Sequence, residues 1–339
     1  MMKSIENYKG LNTRSTIYLT VSYSRNCVFH LVQLDSIYKR FTDVFESFLG
    51  NERLKDEVKS LIESDRLPHG IVLQGEDGNG CGFFANLLAA EYLKDDNGLV
   101  MRGIHPDCIC VEGSGSSGEI SVQSVRDALF EANKAAVTAD GRRVILIKNA
   151  QMLNQSSSNA LLKMLEEPPR GVIFIMTVNQ DSDLLPTLIS RSVIYRIHSP
   201  GFELCVSEVM RRIPECTKDK AVEIAQLYDG NIGLSLRALT DGNYASMSVA
   251  GSEFCKAALL HNRYGMMKWL SEAENRDDLR ILLNSAILWF KGNRTKLRED
   301  YSLADKIITE VSEAFEEAGK YSNIKLVETR LAYKLGGNR

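Results

Sequence analysis

The sequence predicts an α/β domain with a largely parallel sheet, followed by a small helical domain and an all-helical C-terminal domain. Three observations predict it. From residue 67 to about 198, short apolar runs alternate with longer helical patterns, the layout of strand–crossover–strand units. After Pro200 the strand signal fades. From 250 to 337, apolar stripes recur at helical spacing.

Residues 1–42 read as an atypical N-terminal extension. Ser15–Leu34 is rich in Thr, Tyr, Ser and Val, has no helical stripe, and lacks the n-region, apolar core and cleavage site of a signal peptide. Start-site choice is one explanation for the extension. No Met lies between Met2 and Met101, so a later start would use a non-Met codon, for example at Leu34 or Val44. From Phe41 to Arg66, Phe45, Phe48, Leu49, Leu54, Val58, Leu61 and Ile62 recur at helical spacing. Strands are expected at Ile71–Leu73, Cys108–Val111, Val144–Ile147, Val172–Thr177 and Val193–Ile197. Helices are expected at Phe83–Leu93, Ser121–Ala136, Ser156–Glu167 and Asp183–Ser190. Residues 202–243 read as two or three short helices with a turn at Asp229-Gly230-Asn231. Leu279–Phe290, Leu303–Glu317 and Leu326–Leu335 carry the C-terminal stripes.

At 339 residues there is room for two or three domains with their own cores. A net charge of −3 argues against a protein held on DNA by bulk charge, though a local basic face stays open. No apolar run approaches the length of a membrane span. The seven cysteines are scattered and read as free thiols of an intracellular chain. His105, Cys108 and Cys110 form H-x-x-C-x-C, but a fourth ligand is missing and the segment reads as a strand; no metal site is expected.

Residues 75–82 read GEDGNGCG, between the apolar run Ile71-Val72-Leu73 and the alanine-rich Phe83–Leu93. Strand, glycine loop and helix is the setting of the phosphate-binding pattern G-x-x-x-x-G-K-[ST]. Gly75 and Gly80 take its glycine positions, and Gly78 adds backbone freedom. Cys81 stands where the lysine reaches the terminal phosphates, and Gly82 where a hydroxyl holds magnesium. Taken alone, the segment also fits an ordinary Gly/Asp/Asn turn.

The stretch 105–198 is more specific. His105-Pro106-Asp107 opens it, and Gly141-Arg142-Arg143 leads into Val144–Ile147. Asn149-Ala150-Gln151-Met152-Leu153 follows. Then come NALLKMLEEPP at 159–169, Leu184-Leu185-Pro186-Thr187 and Ser190-Arg191-Ser192. This set resembles the AAA+ subunits of the bacterial replicative clamp loader, and within them the delta-prime subunits of DNA polymerase III. Residues 48–75 match the start of that family too. The resemblance covers about residues 43–243; the C-terminal part fits by length and helicity only. Its motifs have structural work of their own. Asn154 or Ser156 can cap the helix that follows, and Pro168-Pro169 stops it.

The resemblance implies an AAA+ domain at 43–199, a helical lid at 200–245 and an oligomerisation collar at 246–339. It also implies how far this chain departs from an ATPase. The acidic pair expected after Val144–Ile147 is replaced by Lys148 and Asn149, and a lysine works against a magnesium ion. The arginine expected near Gly233 is absent, Arg237 being the nearest. The four-cysteine zinc module of many relatives has no counterpart, since Tyr92 to His105 encloses only LKDDNGLVMRGI. No metal and no cofactor are expected, and nucleotide at Gly75, Gly78, Gly80, Cys81 and Gly82 is expected to bind weakly or not at all. Ser190-Arg191 survives. In clamp loaders the matching arginine reaches a neighbour's ATP site as an arginine finger. Without that context, Arg191 reads as an exposed arginine or one paired with a local carboxylate.

The expected function is that of a cytoplasmic, non-hydrolysing clamp-loader subunit within a complex that has DNA polymerase activity. The implied partners are the gamma/tau ATPase subunits, the delta subunit, the sliding clamp and, through the complex, primer-template DNA; no membrane is implied. The alternatives are an active AAA+ motor subunit, which Cys81, Gly82, Lys148 and Asn149 oppose, and a standalone DNA-binding module, for which no reader motif is present.

Overall fold

The computed structural model describes residues 44–114, 118–179, 184–293, 301–319 and 323–336. The N-terminal extension and Asp183 lie outside the described residues. A 3-10 turn at Val44–Ser47 leads into α1, Glu52–Glu63. Then β1 Gly70–Gly75, α2 Cys81–Leu93, β2 Cys108–Val111, α3 Val122–Ala132 and β3 Arg143–Ile147 follow. The α/β part closes with α4 Gln155–Glu166, β4 Val172–Asn179, the short α5 Pro186–Ile189 and β5 Val193–Arg196. The five strands form one sheet in the order β2-β3-β4-β1-β5, and every pairing is parallel.

The apolar runs split by strand period, as a sheet covered on both faces requires. Ile71 and Leu73 of β1, Val144 and Leu146 of β3, and Ile173 and Ile175 of β4 pack with α1 and α2. Their neighbours Val72, Ile145, Ile147, Phe174 and Met176 pack on the other face with α3 and α4.

Several element ends differ from expectation by one to four residues, and three have a visible cause. The helix expected to Ala136 stops at Ala132. Arg143 takes the carbonyls of Lys134 and Ala135, each at 3.0 Å, and of Glu131, while Asp107 accepts the N–H of Val137 at 3.0 Å and of Thr138 at 2.8 Å. That pair, buried on both sides and 2.7 Å apart, unwinds the helix end. Burial disfavours the Asp107 charge, but these partners win and hold its pKa at about 2. The helix expected from Asp183 is described from Pro186, where a proline at the first helical position lacks no needed N–H. The strand expected to Ile197 ends at Arg196, although the Ile197 N–H still bonds the Gln74 carbonyl at 2.8 Å. At α4 the choice of cap falls on Asn154, whose Oδ1 accepts the Ser157 N–H at 2.9 Å, and Pro168-Pro169 follows its end.

Past the sheet come α6 Phe202–Arg212, α7 Lys218–Leu227 and α8 Ile232–Thr240. The rest is α9 Gly242–Leu259, α10 Arg263–Leu270, α11 Arg276–Asn293, α12 Tyr301–Gly319 and α13 Ile324–Leu335 around one apolar cluster. A Cβ on Gly251 of α9 would stand 2.5 Å from the Leu282 carbonyl oxygen, so glycine lets α9 and α11 pack closely. Among the described residues, no helix is long and apolar enough to cross a membrane.

Candidate functional site

The carboxyl ends of parallel strands are where this kind of sheet presents a ligand crevice. The loop after β1 lies there, and α2 begins at Cys81 behind Gly80 at φ 88. Its backbone has the strand-to-helix shape of a phosphate loop. Its side chains supply no positive charge; the charged ones are the acids Glu76 and Asp77. Cys81 Sγ turns back toward Gly75, where an added Cβ would meet it at 2.8 Å. Burial, with the nearby Asp77, pushes the Cys81 thiol up to about 11, so a neutral group replaces the phosphate-binding cation. A Cβ on Gly82 would touch nothing within 4 Å; the hydroxyl is missing although there is space for it.

At the end of β3, two strands from β1 in the sheet, Lys148 forms an ion pair with Glu112. The Lys148 bond, then the Cys110 contact, holds the Glu112 carboxyl below its usual range. Burial works against the Lys148 charge, but Glu112 outweighs it and its pKa stands above the ordinary lysine value. A paired cation thus stands at the end of β3, where the resemblance led to the expectation of an acidic pair. Cys108 and Cys110 are also protonated thiols, raised mainly by burial to about 12 and about 11. Among the described residues no group of three or more His, Cys, Asp or Glu could hold a metal ion.

The third feature, invisible in the motif reading, is that α8 sits directly on the loop. Asn231, its N-cap, accepts the Leu234 N–H at 3.0 Å and donates from Nδ2 to the Asp77 carbonyl at 2.7 Å. The Gly233 N–H donates to the Gly78 carbonyl at 3.2 Å. The approach needs two glycines: a Cβ on Gly78, at φ +83, would stand 2.4 Å from Asn231 Oδ1, and one on Gly233 would stand 2.4 Å from the Gly78 oxygen. Arg237, a turn further on, lies 3.9 Å from the Asp77 carboxylate and 4.8 Å over the Tyr244 ring. The turn signal at Asp229-Gly230-Asn231 was readable in sequence; its partner across 154 positions was not.

Arg191 belongs to the other end of the sheet. It precedes β5, and a Cβ on Gly70, the first residue of β1, would meet the Arg191 carbonyl at 2.8 Å. Gly70 and Gly75 bound β1, so Arg191 and the loop stand roughly 16 Å apart along the strand at about 3.3 Å per residue. An arginine cannot serve its own chain's loop across that span. Its guanidinium bonds Glu166 at 2.6 Å, the Thr187 carbonyl at 3.1 Å and Ser190 Oγ at 3.2 Å. In the chain alone, then, Arg191 is paired with a local carboxylate, and about a third of its side chain stays exposed. Ser190 serves as a contact for the arginine and bonds the Thr187 carbonyl at 3.1 Å.

This sheet order, with a glycine loop after β1 and helices on both faces, is the parallel α/β fold that the sequence predicts. Residues 50–201 match the family described as DNA polymerase III, delta subunit. Similar proteins include the DNA polymerase III subunit delta' of Pseudomonas aeruginosa, 32% identical over 133 residues, which are 39% of this chain and 40% of that protein. The same subunit of Escherichia coli is 27% identical over 146 residues, 43% of each chain. The chain therefore matches about two fifths of the length of these delta' relatives. A gamma/tau subunit of Mycoplasma pneumoniae is 26% identical over 218 residues, covering 59% of this chain and 31% of that one.

Proposed function

We propose that this chain is a non-hydrolysing, cytoplasmic subunit of the replicative DNA polymerase III clamp loader. It assembles with gamma/tau and delta subunits and lends Arg191 to a neighbour's ATP site during loading of the sliding clamp on primed DNA. In this reading residues 43–199 are the AAA+ domain, 200–245 the lid and 246–339 the collar. One observation carries it: the loop after β1 has no cation and the end of β3 carries Lys148, while the exposed arginine stands at the opposite end of the strands. Hydrolysis needs compensation of phosphate charge and a placed metal ion, and this crevice offers neither. A trans-acting arginine needs an exposed edge, and Arg191 has one.

The longer alignment with gamma/tau favours the other reading, an active motor subunit. The two part in one experiment. The pure chain, and the chain mixed with gamma/tau, delta, clamp and primed DNA, are assayed for ATP turnover. The proposal expects no turnover above background from the chain alone, with or without DNA, and DNA-stimulated turnover from the mixture. Magnesium-dependent turnover by the pure chain overturns it in favour of the motor.

A further inference from the structure

We infer that Glu166 is a positioning residue for Arg191, fixing the direction in which the guanidinium meets the neighbour's phosphate. The inference rests on the reading of Arg191 as a trans-acting arginine and adds a residue to it. Two of the three contacts on the guanidinium come from Thr187 and Ser190, within four positions of Arg191 itself. They move with the arginine and cannot orient it against the rest of the domain. Glu166 is different. It is the last residue of α4, and its carboxylate reaches Arg191 Nη2 at 2.6 Å from another element.

The Glu166 end of that contact is tied to the residue before β1 and the Arg191 end to α5, and both pack against Gly70. His69 Nε2 lies 2.9 Å from the Leu165 carbonyl, one residue before Glu166. Gly70 leaves room for Leu165 and the Arg191 backbone at once, since a Cβ there would stand 3.1 Å from Leu165 Cδ2 and 2.8 Å from the Arg191 oxygen. On the arginine side, the Arg191 N–H bonds the Leu188 carbonyl at 3.2 Å and Ser192 Oγ bonds the same carbonyl at 2.9 Å. The pair is thus a bridge between two fixed backbones. A guanidinium carries five N–H groups; these contacts use three and leave two for an incoming phosphate. Glu166 is about half exposed, so its contact adds little to folding. Its effect falls on orientation, where a small misplacement of a charge-stabilising group lowers the rate of the chemical step.

The test uses the reconstituted complex of this chain with gamma/tau, delta, clamp and primed DNA. Assembly, kcat and KM for ATP are measured for R191A, E166A, E166Q and the double variant R191A/E166A. The expected result is a fall in kcat of roughly threefold to tenfold for E166A, with KM and assembly unchanged, because the contact acts on the transition state. E166Q, which keeps the acceptor oxygen, recovers part of the rate. The double variant is no slower than R191A alone, since a positioning residue has nothing left to position. Wild-type kcat for E166A beside a slowed R191A overturns this inference and leaves the proposed function standing. Additive losses in the double variant overturn it too, as Glu166 would then act elsewhere. Wild-type kcat for R191A removes the proposed function and this inference with it.

Discussion

Gly233→Ala sets two physical effects of opposite sign against each other. Gly233 lies in α8, in a helical segment where alanine is favoured over glycine by about 1 kcal/mol. Packing opposes that gain. The new methyl would stand 2.4 Å from the Gly78 oxygen and 2.7 Å from its Cα, both backbone atoms that cannot rotate away. Such overpacking costs about 1–3 kcal/mol. Relief by lifting α8 breaks the Gly233–Gly78 bond and the Asn231–Asp77 bond, together about 1–3 kcal/mol. By either route the net is a loss of up to about 2 kcal/mol, localised where α8 meets the loop. Thermal unfolding should show a lower midpoint, and hydrogen exchange should speed up in peptides covering 76–80 and 231–237. Gly242→Ala is the control, because a Cβ there meets nothing within 4 Å; it should hold or raise the midpoint. A raised midpoint for Gly233→Ala with unchanged exchange would refute the claim that α8 is clasped to the loop.

Asp107→Asn should destabilise by about 3–5 kcal/mol, since it leaves Arg143 buried without its counter-charge. Because the folded Asp107 pKa is depressed to about 2, its contribution is present above the unfolded value near 3.9 and is lost as pH falls through about 2. An acid titration by circular dichroism should be less steep in that window for the variant. Cys81→Lys with Gly82→Ser restores the loop's side chains in a place that has room for the serine, yet no turnover should appear, because Lys148 remains where the metal belongs; magnesium-dependent hydrolysis would contradict this. Cys81 should react slowly with alkylating reagents at pH 8, its thiolate forming only near pH 11, as mass spectrometry can follow. Leu326→Asp with Tyr333→Asp, two exposed apolar residues on α13, should reduce copurification with the partner subunits while leaving the melting temperature nearly unchanged, which would place the contact surface on the C-terminal helices.

The sheet was legible because its strands are bounded apolar runs whose alternation a parallel sheet demands; Ile71–Leu73 and Val144–Ile147 show it. Cys81, Gly82 and Lys148 stood out in the sequence because a spacing pattern fixes the places at which a lysine, a hydroxyl and an acid are expected. What remained hidden was long-range. The end of α3 is set by Asp107 and Arg143, residues 36 apart in sequence, and helical periodicity carries no record of them. The clasp of Asn231 and Gly233 on the loop depends on backbone carbonyls, which no side-chain pattern encodes. Glu166 looked like the end of an amphipathic helix; only the fold brings it to Arg191.

The most direct test of the central claim is Arg191→Ala in the assembled complex, with melting temperature, assembly and DNA-stimulated ATP turnover measured on one preparation. A trans-acting arginine is worth roughly 10³–10⁵ in rate in well-studied phosphoryl-transfer systems, and less in a complex whose other sites keep their own arginines. The account predicts a folded, fully assembling variant whose complex loses turnover and clamp loading, with little recovery for Arg191→Lys, which lacks the planar two-pronged donor. A variant that melts earlier yet gives a fully active complex would contradict it, and would reduce Arg191 to one half of a surface ion pair with Glu166.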